Sequence, residues 1–203
     1  WSRAEQERPL AATGRRQALA VEGLVAAWAP ERLVSSPWRR CVETLAPLVK
    51  SSRLPLKTKG AFTETTAREK PQKTRKVMAE LMGRSRPLVV CTHRPVLPTL
   101  FEVVEDAAAG QADRVLRALP TEDPWLRPGA VLVVHRALDL DGDVVAVGGE
   151  AKGDGPADPA GGSGDDGDAL IHVRGNPGDG GAGRPRDRHH WRWPPGAPGH
   201  GRR

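Results

Sequence analysis

The run "PLVVCTHRPVLPTLF", residues 87–101, constrains the fold more than any other stretch of the chain. Leu88, Val89, Val90 and Cys91 are apolar without alternation, so a strand here must be covered on both faces. Thr92 and His93 follow, and Arg94 and Pro95 open a helical pattern with no room for a separate turn. A buried strand that feeds straight into a helix is the repeating unit of an α/β sheet flanked by helices. The spacing predicts a central strand over 87–93 and a helix over 94–107.

Other segments fit the same plan. Ala18, Val21, Val25 and Trp28 recur at three- and four-residue spacing, which predicts a helix over about 13–28. "RLVSS" (32–36) reads as a short strand that ends in a turn. Residues 38–49 read as a helix with Cys41, Leu45 and Leu48 along one side, and Pro47 is expected to bend or end its last turn. Leu54, Leu56 and Thr58 alternate with charge, predicting a strand over 54–62. Pro71 opens a helix over 71–82. "AVLVVHR" (130–136) and "DVVAV" (143–147) flank "DLDGD" and read as a hairpin. The order of elements predicts a three-layer α/β/α sandwich over residues 1–147.

Composition changes after Val147. Residues 148–203 hold 16 of the chain's 23 glycines, and their only large aliphatic residues are Leu170, Ile171 and Val173. Such a segment buries too little apolar surface to offset the entropy of ordering, so 148–203 is expected to be a disordered Gly/Pro/Arg/Asp-rich tail. Its composition also matches what a shifted reading frame through a GC-rich gene would encode. The whole net charge of +6 lies in residues 1–147. Within that part, residues 50–94 hold twelve Lys and Arg against Glu64, Glu69 and Glu80. That density suits an anionic partner or, equally, a solvated helix face. Two cysteines, Cys41 and Cys91, make no disulfide framework, and no apolar run is long enough to span a bilayer. The expected setting is reducing and cytoplasmic, with no membrane partner. Nucleic acid is not the expected partner, since aromatic residues make up 4% of the chain and offer no stacking platform.

Ligands of open α/β sheets sit beyond the carboxyl ends of the strands, beside helix N-termini. Two strands here end in suitable chemistry: "RLVSS" runs into Trp38, Arg39 and Arg40, and "PLVVCT" runs into His93. A planar guanidinium at a helix N-terminus grips phosphate oxygens at two points, and a histidine on the neighbouring strand can donate to the same group. A histidine at a strand end also serves as a simple structural residue, and spacing alone leaves both readings open. Ser35 and Ser36 lack the glycine-flanked elbow of a serine nucleophile. His135 reads as a surface or edge residue, and His189, His190 and His200 lack metal-ligand spacing.

Three motifs then point to one family. "SSPWRRCVET" resembles the S-x-x-x-R-[CA]-x-x-T segment of the histidine phosphatase (phosphoglycerate mutase-like) superfamily. "VVCTHRPVLPTL" resembles its strand–histidine–helix segment, and "ERPLAATGRRQA" its P-L-[TS]-x-x-G-x-x-Q-A segment. They occur in family order, and the resemblance spans residues 9–147. It is closest to the carboxy-terminal phosphatase domain of bacterial Nudix–histidine phosphatase fusions, which hydrolyse oxidised guanine nucleotides and related compounds.

The resemblance implies a histidine phosphatase-like α/β fold and hydrolysis of phosphate esters or nucleotide phosphates through a phosphohistidine. It makes Arg40 the second pocket arginine, His93 the second pocket histidine and Glu64 the acid that protonates the leaving oxygen; an ordinary exposed acid is the equal alternative for Glu64. Cys41 is expected to pack as a small hydrophobe, Thr44 to brace Arg40, and Arg39 to face solvent or the pocket edge. The partner implied is a phosphorylated small molecule or nucleotide. No metal or other cofactor is implied for this domain, and Mg²⁺ would belong only to a Nudix domain upstream. The family's nucleophile lies in an Arg-His-Gly/Ala motif at the end of its first, central strand, and no such motif occurs in this sequence. The chain is therefore expected to be truncated before that strand and inactive as given. The flanking strands are expected to be left with unpaired backbone groups. A phosphoryl-ligand-binding or interaction domain without catalysis and a basic nucleic-acid-binding module are the alternative readings.

Overall fold

The computed structural model describes residues 2–84, 86–108, 117, 119–123, 125–138, 144–152 and 168–175. A 3₁₀ turn at Glu5–Glu7 leads into α1 (Ala12–Ala26), β1 (Arg32–Ser35), α2 (Arg39–Ser52) and β2 (Leu56–Thr58). A second 3₁₀ turn, Gly60–Phe62, precedes α3 (Glu64–Glu69), α4 (Pro71–Met82) and β3 (Leu88–His93). The turn Arg94–Val96 then opens α5 (Leu97–Ala107), and β4 (Val131–Leu138), β5 (Val144–Lys152) and β6 (Asp168–Gly175) follow.

The six strands form one sheet in the order β2-β1-β3-β6-β4-β5. β1 pairs in parallel with β2 and β3, as strands joined through helices do. β4 and β5 form the expected antiparallel hairpin. All six residues of β3 are buried, in keeping with its unbroken apolar run.

The period-two alternation of the strands feeds two separate cores. Leu33, Val89, Cys91, Val131 and Val133 pack with Val21 and Val25 of α1 and Cys41, Leu45 and Leu48 of α2. Val34, Leu88, Val90, Leu132 and Val134 face the other way, onto Met78 and Leu81 of α4 and Leu97, Leu100 and Val104 of α5. This is the three-layer α/β/α sandwich that the order of elements predicts.

Two details depart from the sequence expectations. Pro47 neither ends α2 nor marks its last turn: the helix runs on to Ser52, because Leu48 beyond it is buried in the same core as Cys41 and Leu45. The strand expected over 54–62 is confined to Leu56–Thr58, since Gly60–Phe62 turns inward and buries Ala61 and Phe62. Beyond Val147, β5 continues to Lys152, and β6 arises from 168–175, around the tail's only large aliphatic residues. β6 lies between β3 and β4, antiparallel to the first and parallel to the second. The unpaired backbone groups expected on strands flanking a missing central strand are therefore supplied with a partner by β6. The rest of 148–203 lies outside the described residues.

Among the described residues no helix is long and apolar enough to cross a membrane.

Candidate active site at the carboxyl ends of β1 and β3

β1 and β3 run in parallel, so both deliver their last residues to the same edge of the sheet. Ser36 follows β1, its N–H donating to the Cys91 carbonyl at 2.9 Å, and His93 closes β3. The His93 Nε2 atom lies 2.8 Å from the Ser36 hydroxyl, and its Nδ1 lies 3.4 Å from Glu64 Oε1. A carboxylate only accepts, so this arrangement suits a neutral ring with its proton on Nδ1 and the Ser36 O–H donating to Nε2. His93 is held down from its usual 6.5 to about 3, by burial first and by the positive charge of Arg40 second.

The two arginines of "SSPWRRCVET" take different roles. Arg39 and Arg40 are the first two residues of α2, and 100° of rotation per residue sends their side chains apart. Arg39 is 57% exposed, and its Nε donates to Glu43 Oε1 at 2.6 Å along the helix surface. Arg40 is 3% exposed and turns into the site. Its Nη2 donates to Glu64 Oε1 at 2.8 Å and its Nη1 to Glu5 Oε1 at 2.7 Å. Trp38 lies against both groups, with the Arg40 guanidinium carbon 5.1 Å from its ring centre and the His93 ring centre 4.6 Å away. The aromatic face helps to hold a desolvated cation.

Glu64 is the first residue of α3, and its place is fixed by several local bonds. Thr63 caps the helix, its Oγ1 accepting from the Thr66 N–H at 3.2 Å. Thr92 Oγ1 donates to the Phe62 carbonyl at 3.0 Å, and Thr74 Oγ1 donates to the Ala61 carbonyl at 2.7 Å. The inward turn that shortens β2 thus carries the carboxylate to the end of β3. Glu64 Oε1 contacts both Arg40 and His93.

The structure brings together all three residues expected at the site: Arg40, His93 and Glu64. Cys41 is fully buried beside the histidine, its Sγ 3.6 Å from Nε2. Thr44 Oγ1 donates to the Arg40 carbonyl at 2.9 Å and so steadies the first turn of α2. His135 is exposed on β4, while His189, His190 and His200 lie outside the described residues. The basic excess of 50–94 lies largely on the surface: Lys57, Arg68, Lys70, Lys73 and Lys76 are exposed, and Arg75 pairs with Glu102 and Asp106. Sequence reasoning missed Glu5, which lies 35 residues from Arg40 in no motif, and it weighed Ser36 only as a nucleophile. A hydroxyl at the end of a strand next to one ending in histidine was the available signal for Ser36.

A buried cation, a neutral imidazole and an acid on one sheet edge can hold a phosphoryl group, balance its charge and carry a proton beside it. No curated protein matches this chain in sequence. Among solved structures, "Mycobacterial hydrolase 2" shares 17% identity at a TM-score of 0.43, over 51% of this chain and 64% of its own. This chain thus spans just under two thirds of that protein. "Mycobacterial hydrolase 1" shares 17% identity at a TM-score of 0.42, over 52% of this chain and 71% of its own. A mycobacterial glucosyl-3-phosphoglycerate phosphatase in complex with VO3 gives 17% and 0.42, over 53% and 75%. The family model of the histidine phosphatase superfamily (branch 1) matches residues 3–135, which include Arg40, Glu64 and His93. The chain belongs to the histidine phosphatase superfamily.

Proposed function

We propose that these residues form the phosphate pocket of a phosphatase acting on phosphate esters or nucleotide phosphates. The observation that carries this reading is the convergence of Arg40, Glu64 and His93 at the end of β3. In this reading Arg40 offers charge-assisted N–H donors to phosphoryl oxygens, Glu64, once protonated, gives a proton to the leaving oxygen, and His93 supplies a second donor once it is protonated on Nε2. Turnover further needs a nucleophilic histidine, which the family carries in an Arg-His-Gly/Ala motif. This sequence holds no such motif, so the reading assigns anion binding to residues 1–203 and phosphoryl transfer to a chain that also carries that motif.

The finer reading is a Nudix-fused hydrolase of oxidised nucleotides in a reducing, cytoplasmic setting. Its support is the text of "RPLAATGRRQA" and "ERLVSSPWRRCVETLAPL", together with a chain of only two cysteines, both buried. Mg²⁺ would serve only a Nudix domain upstream. A non-catalytic phosphoryl-binding role is the second reading, favoured by the placement of β6 at the centre of the sheet.

The test is hydrolysis of a generic phosphomonoester and of nucleoside di- and triphosphates by the purified chain. It is run with and without an upstream segment ending in Arg-His-Gly/Ala. The expected result is no turnover without the segment and turnover with it that is lost in His93→Ala. Turnover by residues 1–203 that survives His93→Ala would place the chemistry elsewhere.

A further inference from the structure

Arg40 holds two carboxylates, and they are not equivalent. Glu64 is 22% exposed, is set by the capped start of α3 and also reaches His93. Glu5 is 44% exposed and sits on a three-residue 3₁₀ turn with no buried residue and no side-chain cap. A single oxygen of Glu5 receives two guanidinium groups: Arg40 Nη1 at 2.7 Å and Arg8 Nη1 at 3.3 Å. An anionic oxygen thus already sits against the outward end of Arg40, in a place that two arginines face.

We propose that Glu5 is a displaceable internal anion that occupies the phosphate position on Arg40 and that a phosphate group must displace to bind. The inference rests on the pocket reading above and adds a gate to it. A phosphate monoester matches the role that Glu5 now fills, because its several oxygens satisfy the planar forks of Arg40 and Arg8 together, where one carboxylate oxygen is shared between them. The gate opens at modest cost, because the Glu5–Glu7 turn has no buried residue to drag from the core. While it is closed, only a fraction of molecules offers Arg40 to a ligand, and apparent affinity falls by that fraction.

The experiment is calorimetric titration of inorganic phosphate into the full 203-residue chain, as wild type, Glu5→Gln, Arg40→Lys and the double variant. Glu5→Gln changes an exposed side chain to one of the same shape, and circular dichroism confirms that each variant is folded. The expected result is phosphate binding about ten-fold tighter in Glu5→Gln. Arg40→Lys keeps the charge but loses the fork; it should weaken binding and abolish the gain from Glu5→Gln. Equal or weaker binding in Glu5→Gln, with binding still lost in Arg40→Lys, makes Glu5 a structural brace and overturns the gate while the pocket stands. Binding that ignores Arg40→Lys in both backgrounds, or no binding by wild type and Glu5→Gln alike, overturns the pocket and the gate together.

Discussion

His93 is buried at the last position of β3, where its environment works against a second proton. An unfolded chain takes up that proton near the usual 6.5, while the folded chain resists it down to about 3. Between those values the unfolded state holds more protons, so acid favours unfolding. The contribution of His93 to stability is fully present above about 6.5 and is lost as pH falls toward 3, by at most about 1.4 kcal/mol per pH unit. Urea titrations of wild type and His93→Gln between about pH 7 and about pH 4 check this. The wild type should lose stability more steeply; parallel slopes would assign the acid sensitivity to carboxylates instead. A phosphate bound in the proposed pocket would reverse the preference, because its negative charge favours the imidazolium. Phosphate binding near neutral pH should therefore take up a proton, seen as binding enthalpy that varies with the ionisation enthalpy of the buffer. At this scale the site was legible where a motif carried it, as for Arg40 and His93. Glu64 was half legible, because the turn that aims it depends on Thr63, Thr74 and Thr92 bonding across three different elements. Glu5 meets Arg40 only through tertiary folding, and no local pattern marks such a pair.

Elements were legible to the extent that one face of each is buried. α1, α2, α4 and α5 follow the apolar spacing of their sequences, and β3 and β4 follow their β-branched runs. Ends were less legible, because they depend on single backbone angles. α2 illustrates this: it outlasts Pro47 and stops at Arg53, which adopts the left-handed conformation with φ of 59° and donates its N–H to the Val49 carbonyl. Glycine is the usual residue there, since a side chain makes that conformation costly by about 1–2 kcal/mol. Arg53 is exposed and lies in no ion pair among those between described residues. Arg53→Gly is thus expected to stabilise the chain by about 1 kcal/mol, after allowing for the extra freedom glycine brings to the unfolded state. A shift of the urea midpoint upward with unchanged m-value is the expected readout. A downward shift would mean that the Arg53 side chain contributes more than its backbone strain costs.

At the scale of the whole molecule, one strand pairing left no mark in the composition. Residues 148–203 are so rich in glycine that three large aliphatic residues do not register as a strand, yet β6 takes a central place in the sheet. Long-range pairing of this kind is set by what the rest of the sheet leaves open, and a local window carries no sign of it. The consequence is testable by truncation. β3 is registered on β6 along its full length, from Leu88 opposite Val173 to His93 opposite Asp168, and β4 is registered on it from Val131 opposite Leu170 to Arg136 opposite Gly175. Ending the chain at Val147 removes this partner from both strands and also cuts β5. Each buried backbone group left unpaired costs about 1–3 kcal/mol, against a total stability of about 5–15 kcal/mol for a domain. Several such groups outweigh the margin, and the opened strands become edges that pair with other chains. Residues 1–147 should therefore aggregate or lose their cooperative thermal transition, whereas residues 1–175, which keep all six strands, should melt as the full chain does. Size-exclusion chromatography and thermal circular dichroism on the three lengths decide the matter. A monomeric, cooperatively melting 1–147 would mean that β3 and β4 do not need β6, and the strand order at the centre of the sheet would have to be redrawn.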